Sequence, residues 1–255
     1  MNIGFFILRD YESIVDNYIE SCLKIFNKEN EIKIKIYSVN ETLSPTKVID
    51  SINAGFNMAE NEYGIKSGLI LCGMRHDYKN VDLVAELAIE NKEKIIGFDI
   101  AGPEYDFMPS LFKTSFKKIK ESGINITIHA GEGDGVHSIK DAISNGAQRI
   151  GHGVRIIEDV NLKTGQLGDT SKQLIDKQIP LEVCITSNIH TNMYKSFDEH
   201  PIKDLIDIGF NISLNTDNRL MSNTTVSKET QIAESLGIAN VEQLLINSAS
   251  YSFLN

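Results

Sequence analysis

The chain has 255 residues, a hydrophobic fraction of 41% and a formal net charge of −10 at pH 7. This length is sufficient for one large α/β domain with a substantial buried core. The excess of acidic side chains argues against a nucleic-acid or anionic-membrane partner, because phosphate binding requires clustered Lys and Arg. Chemistry on a small molecule is therefore the favoured class of function.

The cysteines and the apolar runs indicate the compartment. Cys22, Cys72 and Cys184 are far apart and form no Cys-x-x-Cys pair, so neither a disulfide framework nor a thiolate zinc site is indicated. The apolar run at residues 3–8 is too short for a signal core or a membrane span. We therefore expect an unexported, cytoplasmic protein without a membrane segment.

Apolar residues recur with alternating helical and strand-like spacing along the chain. Residues 10–27 have helical spacing, and residues 31–37 alternate isoleucine with polar residues, as a strand does. Ser44 and Pro45 predict the start of a helix, since serine is a favoured N-cap and proline a favoured first-turn residue. The other predicted strands cover residues 65–72, 94–100, 125–130, 148–151, 180–185 and 210–215, and the other predicted helices cover residues 81–90, 111–121, 136–145, 171–177, 202–208, 227–236 and 241–250.

Seven strands separated by helices and short loops predict an α/β fold, a TIM-type (β/α) barrel that occupies residues 1–255 as a single domain. A closed barrel of this type has eight strands. Either the run at residues 3–8 supplies the missing strand, or the first β/α unit is absent. We favour the second alternative, because a strand at residues 3–8 would carry no polar group suited to a site. The exposed barrel edge would then favour an oligomer.

Four polar residues stand where predicted strands end: His129, Glu132, His152 and Asp217. Because sites of parallel α/β enzymes open at the carboxyl ends of strands, we expect these side chains to converge. Histidine and aspartate suit a zinc ion that keeps one position open for water, and such a zinc lowers the pKa of that water towards 7. Each residue alone is more simply a hydrogen-bonded or loop-capping residue. Together they predict a hydrolytic site in which Glu132 donates a proton.

The other four histidines have weaker claims to a role in chemistry. His76 and His190 follow predicted strands and are candidates for the mouth of the site. His137 lies on a predicted helix and His200 precedes a proline at a helix start, so both are interpreted as structural or solvated.

Six ordered segments between residues 64 and 254 together resemble the adenosine deaminase family of zinc-dependent amidohydrolase barrels. They are Leu-Ile-Leu-Cys-Gly-Met-Arg-His (69–76), Gly-Phe-Asp-Ile-Ala-Gly-Pro-Glu (97–104), Ile-His-Ala-Gly-Glu (128–132), Arg-Ile-Gly-His-Gly-Val (149–154), Pro-Leu-Glu-Val-Cys-Ile-Thr-Ser-Asn (180–188) and Ser-Leu-Asn-Thr-Asp (213–217). The resemblance implies a barrel of the metal-dependent hydrolase class, incomplete at its N-terminus. It also implies hydrolytic deamination of adenosine, or a related aminopurine nucleoside, to inosine and ammonia.

The resemblance assigns roles to individual residues of this sequence. It implies that His129 and Asp217 bind zinc, and that Glu132 protonates the purine ring nitrogen beside the carbon under attack. His152 would position or deprotonate the zinc-bound water. Gly102 would allow the backbone to approach the purine.

Two departures from the family pattern limit what the resemblance implies. The family completes its metal site with a His-x-His pair, and this sequence has none, so zinc binding is expected to be weakened or lost. Asn218 and Arg219 stand where the family has Asp-Pro; an asparagine amide can still donate to the purine N7. Two interpretations stay open: a deaminase of adenosine, adenine or a modified adenosine, or a non-catalytic relative that retains purine binding.

Overall fold

A computed structural model describes residues 4–6, 44–64 and 66–254 of the chain. Its strands are β1 (Gly4–Phe6), β2 (Ile70–Met74), β3 (Gly97–Ala101), β4 (Asn125–Ala130), β5 (Arg149–His152), β6 (Val160–Asn161), β7 (Gln166–Leu167), β8 (Leu181–Val183) and β9 (Ile212–Leu214). Its helices are α1 (Pro45–Tyr63), α2 (Tyr78–Glu90), α3 (Lys113–Glu121), α4 (Val136–Ser144), α5 (Asp169–Asp176), α6 (Ile185–His190), α7 (Ile202–Ile208), α8 (Val226–Ser235) and α9 (Val241–Ser250).

Seven of the strands form one parallel sheet in the order β1-β2-β3-β4-β5-β8-β9, while β6 and β7 form a separate antiparallel hairpin. Neighbouring strands follow one another in the chain and are joined by helices, which is the connectivity of a (β/α) barrel. No helix within the described ranges combines the length and the apolar character needed to cross a bilayer.

The two faces of the sheet differ in polarity. Residues paired across parallel strands share a face, and the registers place Asp99, Thr127, Arg149 and Glu182 on one face. The opposite face is apolar and belongs to one buried cluster with the helices; it includes Leu71, Phe98, Ile100, Ile126, Ile128, Ile150, Leu181, Val183, Ile212 and Leu214. The core therefore lies between the sheet and the helices, and the polar face lines the barrel interior.

Close packing of α2 on β2 depends on a glycine. A Cβ added at Gly73 would lie 2.9 Å from the Cα of Val81, so any larger residue would push the helix away from the strand. Val81 itself is fully buried. This contact fixes the carboxyl end of β2 below the loop that follows it.

The predicted elements agree with the structure apart from small shifts of their ends. The six strands predicted between residues 65 and 215 are all present, and α7 and α9 have the predicted bounds. Ser44 caps α1 by accepting a hydrogen bond from the Lys47 amide, as its position predicts. The predicted helix at residues 10–27 and strand at residues 31–37 lie outside the described residues. Sequence reasoning missed α6 and the β6-β7 hairpin, which are short and have too few residues to show a period.

The structure corrects the interpretation of residues 3–8. Gly4–Phe6 forms a strand that pairs in parallel with β2, with Gly4 opposite Ile70 and Phe6 opposite Cys72. A strand at these residues carries no polar side chain suited to a site. Strand pairing uses backbone N–H and C=O groups, so a strand without a polar side chain can still join the sheet.

A buried ion pair occupies the amino end of the barrel interior. The Nε of Arg149 lies 2.8 Å from Oε1 of Glu182, and the Thr127 hydroxyl donates to Oε2 of the same carboxylate at 2.7 Å. Below this pair, Arg149 donates to the Tyr251 carbonyl at 3.0 Å, and its guanidinium carbon lies 3.6 Å from the centre of the Phe253 ring. The segment after α9 therefore covers the amino end of the strands.

Candidate active site

The carboxyl ends of β4 and β5 bring together three of the predicted residues. The rings of His129 and His152 have centroids 5.2 Å apart. Oε2 of Glu132, in the loop after β4, lies 3.4 Å from Nε2 of His152. The structure thus places two imidazoles and a carboxylate around one small volume at the barrel mouth.

His129 is oriented by a carboxylate on the adjacent strand. Asp99 accepts from the ring Nδ1 of His129 at 2.7 Å and from its backbone amide at 3.2 Å. Protein metal sites use this arrangement to orient a histidine whose other ring nitrogen binds the metal. Arg75, which is fully buried, holds the same residue from below by donating to the His129 carbonyl at 2.5 Å.

The electrostatic environment of His129 favours positive charge. Burial opposes protonation of the ring, but the charge and hydrogen bond of Asp99, together with the charges of Asp217 and Glu132, raise the pKa of His129 to about 10. A divalent cation bound at this ring would displace the proton and meet the same carboxylates. The region is therefore suited to a cation.

Asp217 lies in the loop after β9, near enough to His129 and His152 for their charges to act on its carboxylate. Its Oδ2 accepts from the Ser187 hydroxyl at 2.6 Å. Burial alone would raise the pKa of Asp217, but His152, the Ser187 hydrogen bond and His129 outweigh burial and hold that pKa below its ordinary value. The carboxylate is therefore ionised and fixed in place.

Both His152 and Asp217 have left-handed backbones, with φ of 60° and 52°. Non-glycine residues pay roughly 1 to 3 kcal/mol for such conformations, which persist where the surrounding structure enforces them. Strand alternation would put His152 on the same face as Ile150, towards the helices. The left-handed turn at its position ends the alternation and lets the ring reach His129.

A buried amide lies behind His152. The side-chain nitrogen of Asn188 is 3.1 Å from Nδ1 of His152, and its oxygen is 3.2 Å from Nε2 of His200. All three side chains are buried. The pKa of His200 falls to about 4 because burial, and to a lesser extent the charge of His152, disfavour its protonated form.

Glu104 organises the loop that carries Glu132. Its carboxylate is buried and accepts from three successive backbone amides, those of Gly131, Glu132 and Gly133, each at 2.8 Å. It also accepts from the Ser138 hydroxyl at 2.7 Å. Four hydrogen bonds to one carboxylate hold the backbone of Glu132 rigidly, while Oε1 of Glu132 accepts from the Thr191 hydroxyl at 3.1 Å.

The remaining predicted residues lie around this centre. Gly102 follows β3 with φ of 97°, and a Cβ there would lie 3.2 Å from the Met74 side chain and 3.4 Å from the His76 ring, so only glycine fits. Asn218 is half-buried, and its side-chain oxygen accepts from the Met221 amide at 3.1 Å, which closes the loop after β9.

The other histidines have different positions. His76 follows β2 and is exposed. His190 ends α6 and is exposed. His137 lies on α4, as predicted, and pairs with Asp134 at 2.8 Å on the surface. His200, interpreted from the sequence as structural or solvated, is buried and bonded to Asn188.

The fit to a metal ion is partial. His129 and Asp217 are residue types that bind metals in proteins. Asp99 and Ser187 contact one polar atom of each, as supporting residues do in known metal sites. Among the described residues, however, no group of three or more His, Cys, Asp or Glu side chains is arranged to hold a metal ion. That these two residues bind a metal stays a prediction.

Sequence reasoning did not assign roles to Asp99, Glu104, Asn188 and His200. Asp99 gave a readable signal, a charged residue between Phe98 and Ile100 within an apolar strand, which is rare unless the charge has a partner. Glu104 and Asn188 lie within the family-like segments 97–104 and 180–188. Their neighbours in the sequence do not indicate which groups they bond to. Their partners lie 27 or more positions away for Glu104 and 12 and 36 positions away for Asn188.

Comparison with known proteins identifies the family of this chain. The family model described as adenosine deaminase matches residues 14–255. An adenosine deaminase of Mycobacteroides abscessus is 36% identical over 229 residues, which cover 85% of this chain and 63% of that protein. The chain thus spans less than two thirds of that relative's length.

Solved structures show the same fold. An adenine deaminase from Arthrobacter aurescens superposes with a TM-score of 0.74 at 24% identity, covering 83% of this chain and 64% of that one. An amidohydrolase from Burkholderia ambifaria, solved with bound zinc, has a TM-score of 0.74 at 21% identity, covering 84% and 59%. The chain belongs to the adenosine deaminase family.

Proposed function

We propose that this chain is a hydrolase that deaminates adenosine or a related aminopurine nucleoside. The observation that carries the proposal is the grouping of His129, His152 and Glu132 at the barrel mouth of a chain of this family. The charges of the two imidazoles also act on the Asp217 carboxylate. Acids at the site and the net charge of −10 suit a neutral nucleoside better than a polyanion.

The reaction requires addition of water to an aromatic carbon followed by loss of ammonia. Attack at that carbon is difficult unless the adjacent ring nitrogen receives a proton, and our proposal gives Glu132 the role of this proton donor. Water then contributes the new C–O bond, the C–N bond breaks, and the amino group leaves as ammonia with the remaining protons. Glu104 and Thr191 hold Glu132 at its backbone and its carboxylate during these steps.

Zinc is the metal that we propose for the site, with His129 and Asp217 among its ligands. Bound zinc would supply a water of lowered pKa. The zinc found in the Burkholderia amidohydrolase is consistent with this proposal. The described residues provide two ligands of the usual three or four, so affinity is expected to be weaker than in a complete site.

A non-catalytic purine-binding protein is the second candidate function. It is favoured by the incomplete ligand group among the described residues and by the lack of His-x-His in the sequence. Adenine is a second candidate for the purine substrate, since the adenine deaminase from Arthrobacter aurescens shares the fold. Cys72 and Cys184, whose thiols are buried and free, are consistent with our proposal that the protein acts in the reducing cytoplasm.

The test is turnover of adenosine and adenine by wild type and by Glu132→Gln, with zinc content measured on the same samples. The substitution removes the ring-protonating acid but keeps the side-chain shape. We expect kcat to fall by about 10² to 10⁴-fold with little change in KM.

Glu121→Gln, at an exposed glutamate paired only with Lys117, is the control and should retain full activity. Wild type without turnover on either substrate, yet with purine binding, would establish the second candidate. A Glu132→Gln protein as active as an active wild type would overturn the proposed role of Glu132.

A further inference from the structure

Asn188 bridges two histidines that lie 48 positions apart in the sequence, and the far end of this chain of hydrogen bonds is fixed by the backbone. The Ile202 amide, at the start of α7, lies 3.2 Å from Nδ1 of His200. A backbone N–H can only donate, so this ring nitrogen accepts. The direction of every other bond follows from this one.

Neutral histidine has one ring proton, so the proton of His200 resides on Nε2 and is donated to the Asn188 oxygen at 3.2 Å. His200 is 5% exposed, and its low pKa keeps the ring neutral at pH 7. The amide nitrogen of Asn188 then faces His152 and donates to Nδ1 at 3.1 Å. The ring proton of neutral His152 must therefore lie on Nε2, the atom nearest Glu132.

We propose that Asn188 and His200 are positioning residues that hold His152 as its Nε2–H tautomer, so that this ring presents a donor to the attacking oxygen. This proposal rests on the proposed function for its catalytic consequence. A ring whose lone pair is directed at Asn188 has no basic nitrogen facing the site. Of the two roles considered for His152, positioning of the water is thus favoured over its deprotonation.

The tautomer is directly measurable without turnover. In protein labelled with ¹⁵N-histidine, long-range ¹H–¹⁵N spectra separate protonated from unprotonated ring nitrogens, and the six histidines allow assignment of His152 by comparison with His152→Gln. We expect His152 of wild type to have a protonated Nε2 and an unprotonated Nδ1. A protonated Nδ1 in wild type would overturn the proposal.

Asn188→Asp inverts the polarity of the bridge with almost no change in shape. The carboxylate still accepts from His200, but it can only accept from His152, so His152 should change to its Nδ1–H tautomer. We expect kcat to fall by roughly 10²-fold with KM little changed. A variant that keeps the Nε2–H tautomer and full kcat would refute the relay.

Asn91→Asp is the matched control, because Asn91 is also a buried asparagine, 6% exposed, and bonds to the Leu87 carbonyl at the end of α2. It should lose stability while keeping both the His152 tautomer and kcat. If wild type has the expected tautomer but no turnover, the proposed function fails and the positioning relay stands. If the protein turns over substrate but His152 carries its proton on Nδ1, the proposed function stands and the positioning relay fails.

Discussion

The barrel buries charged side chains at both ends of its strands, but the two ends treat those charges differently. At the amino end, Arg149 and Glu182 form a close ion pair, and the Phe253 ring covers the Arg149 guanidinium. At the carboxyl end, each of His129, His152, Glu132 and Asp217 is held by a polar neighbour, and the rings of His129 and His152 lie 5.2 Å apart. Paired and covered charges contribute to the fold, whereas charges fixed from one side remain available to a ligand.

This difference shows how one sheet serves two purposes. Thr127 and His129 are two residues apart on the same face of β4, yet Thr127 bonds to the amino-end pair and His129 lies in the candidate active site. We therefore expect changes at the amino end to alter stability and changes at the carboxyl end to alter turnover.

The largest effect is expected from Arg149→Met at the amino end. The change leaves the Glu182 carboxylate, 15% exposed, without its cation, and a buried charge deprived of its partner costs about 3 to 5 kcal/mol. Urea unfolding should show this loss, while kcat per folded molecule should stay near the wild-type value.

Lys203→Met provides the control, because it breaks an equally short pair with Asp207 whose side chains are 51% and 61% exposed. Exposed pairs of this kind are worth little, so its unfolding free energy should barely change. Equal losses in the two variants would show that burial of the Arg149 pair has no special role.

Acid should affect the carboxyl end through His200. Its folded pKa of about 4 lies below the ordinary value of 6.5, so the unfolded chain binds the proton more readily between these two values. Stability should be complete above pH 6.5, fall as the pH drops towards 4, and fall no further from this cause, for a total of about 3 kcal/mol.

Unfolding free energies of wild type and His200→Gln across this range measure that contribution as a difference, which removes the shared titration of the acids. The variant should have the flatter profile. Parallel profiles would mean that His200 is protonated in the folded protein near its ordinary pKa.

The smallest expected effect is on kcat, from Glu104→Gln. Each oxygen of the Glu104 carboxylate accepts two of its four hydrogen bonds, and glutamine replaces one of these oxygens with an NH₂ group. Two donors of the protein then face this NH₂ donor, so we expect the Glu132 loop to shift. Loss of such supporting bonds typically costs 10- to 100-fold, and we expect a fall in kcat of about this size.

The matched control is Glu86→Gln, which makes the same change of charge at a glutamate that is 57% exposed and paired with Lys118. Steady-state kinetics should show an unchanged kcat for this variant. Unchanged kcat in Glu104→Gln would show that the loop is held in place by packing and not by this carboxylate.

Sequence reasoning located the strands and the residues at their ends, because apolar runs and strand-end histidines are local features. It could not locate what holds those residues. Asn188 meets His152 because α6 follows β8, which pairs with β5, and Asp99 meets His129 because β3 pairs with β4. The left-handed backbone at His152 was equally hidden, since nothing in a non-glycine residue marks a positive φ. The predicted zinc ligands at residues 129 and 217 stay a prediction.

The position of the last residues has a practical consequence for handling the protein. Tyr251 and Phe253 lie against Arg149 at the amino ends of the strands, opposite the candidate active site. An affinity tag, a reporter domain or a surface linker joined after residue 254 would leave from the far side of the barrel. Protein tethered to a sensor chip in this way would present its mouth to the flowing solution, so purine binding could be measured without the tether blocking entry.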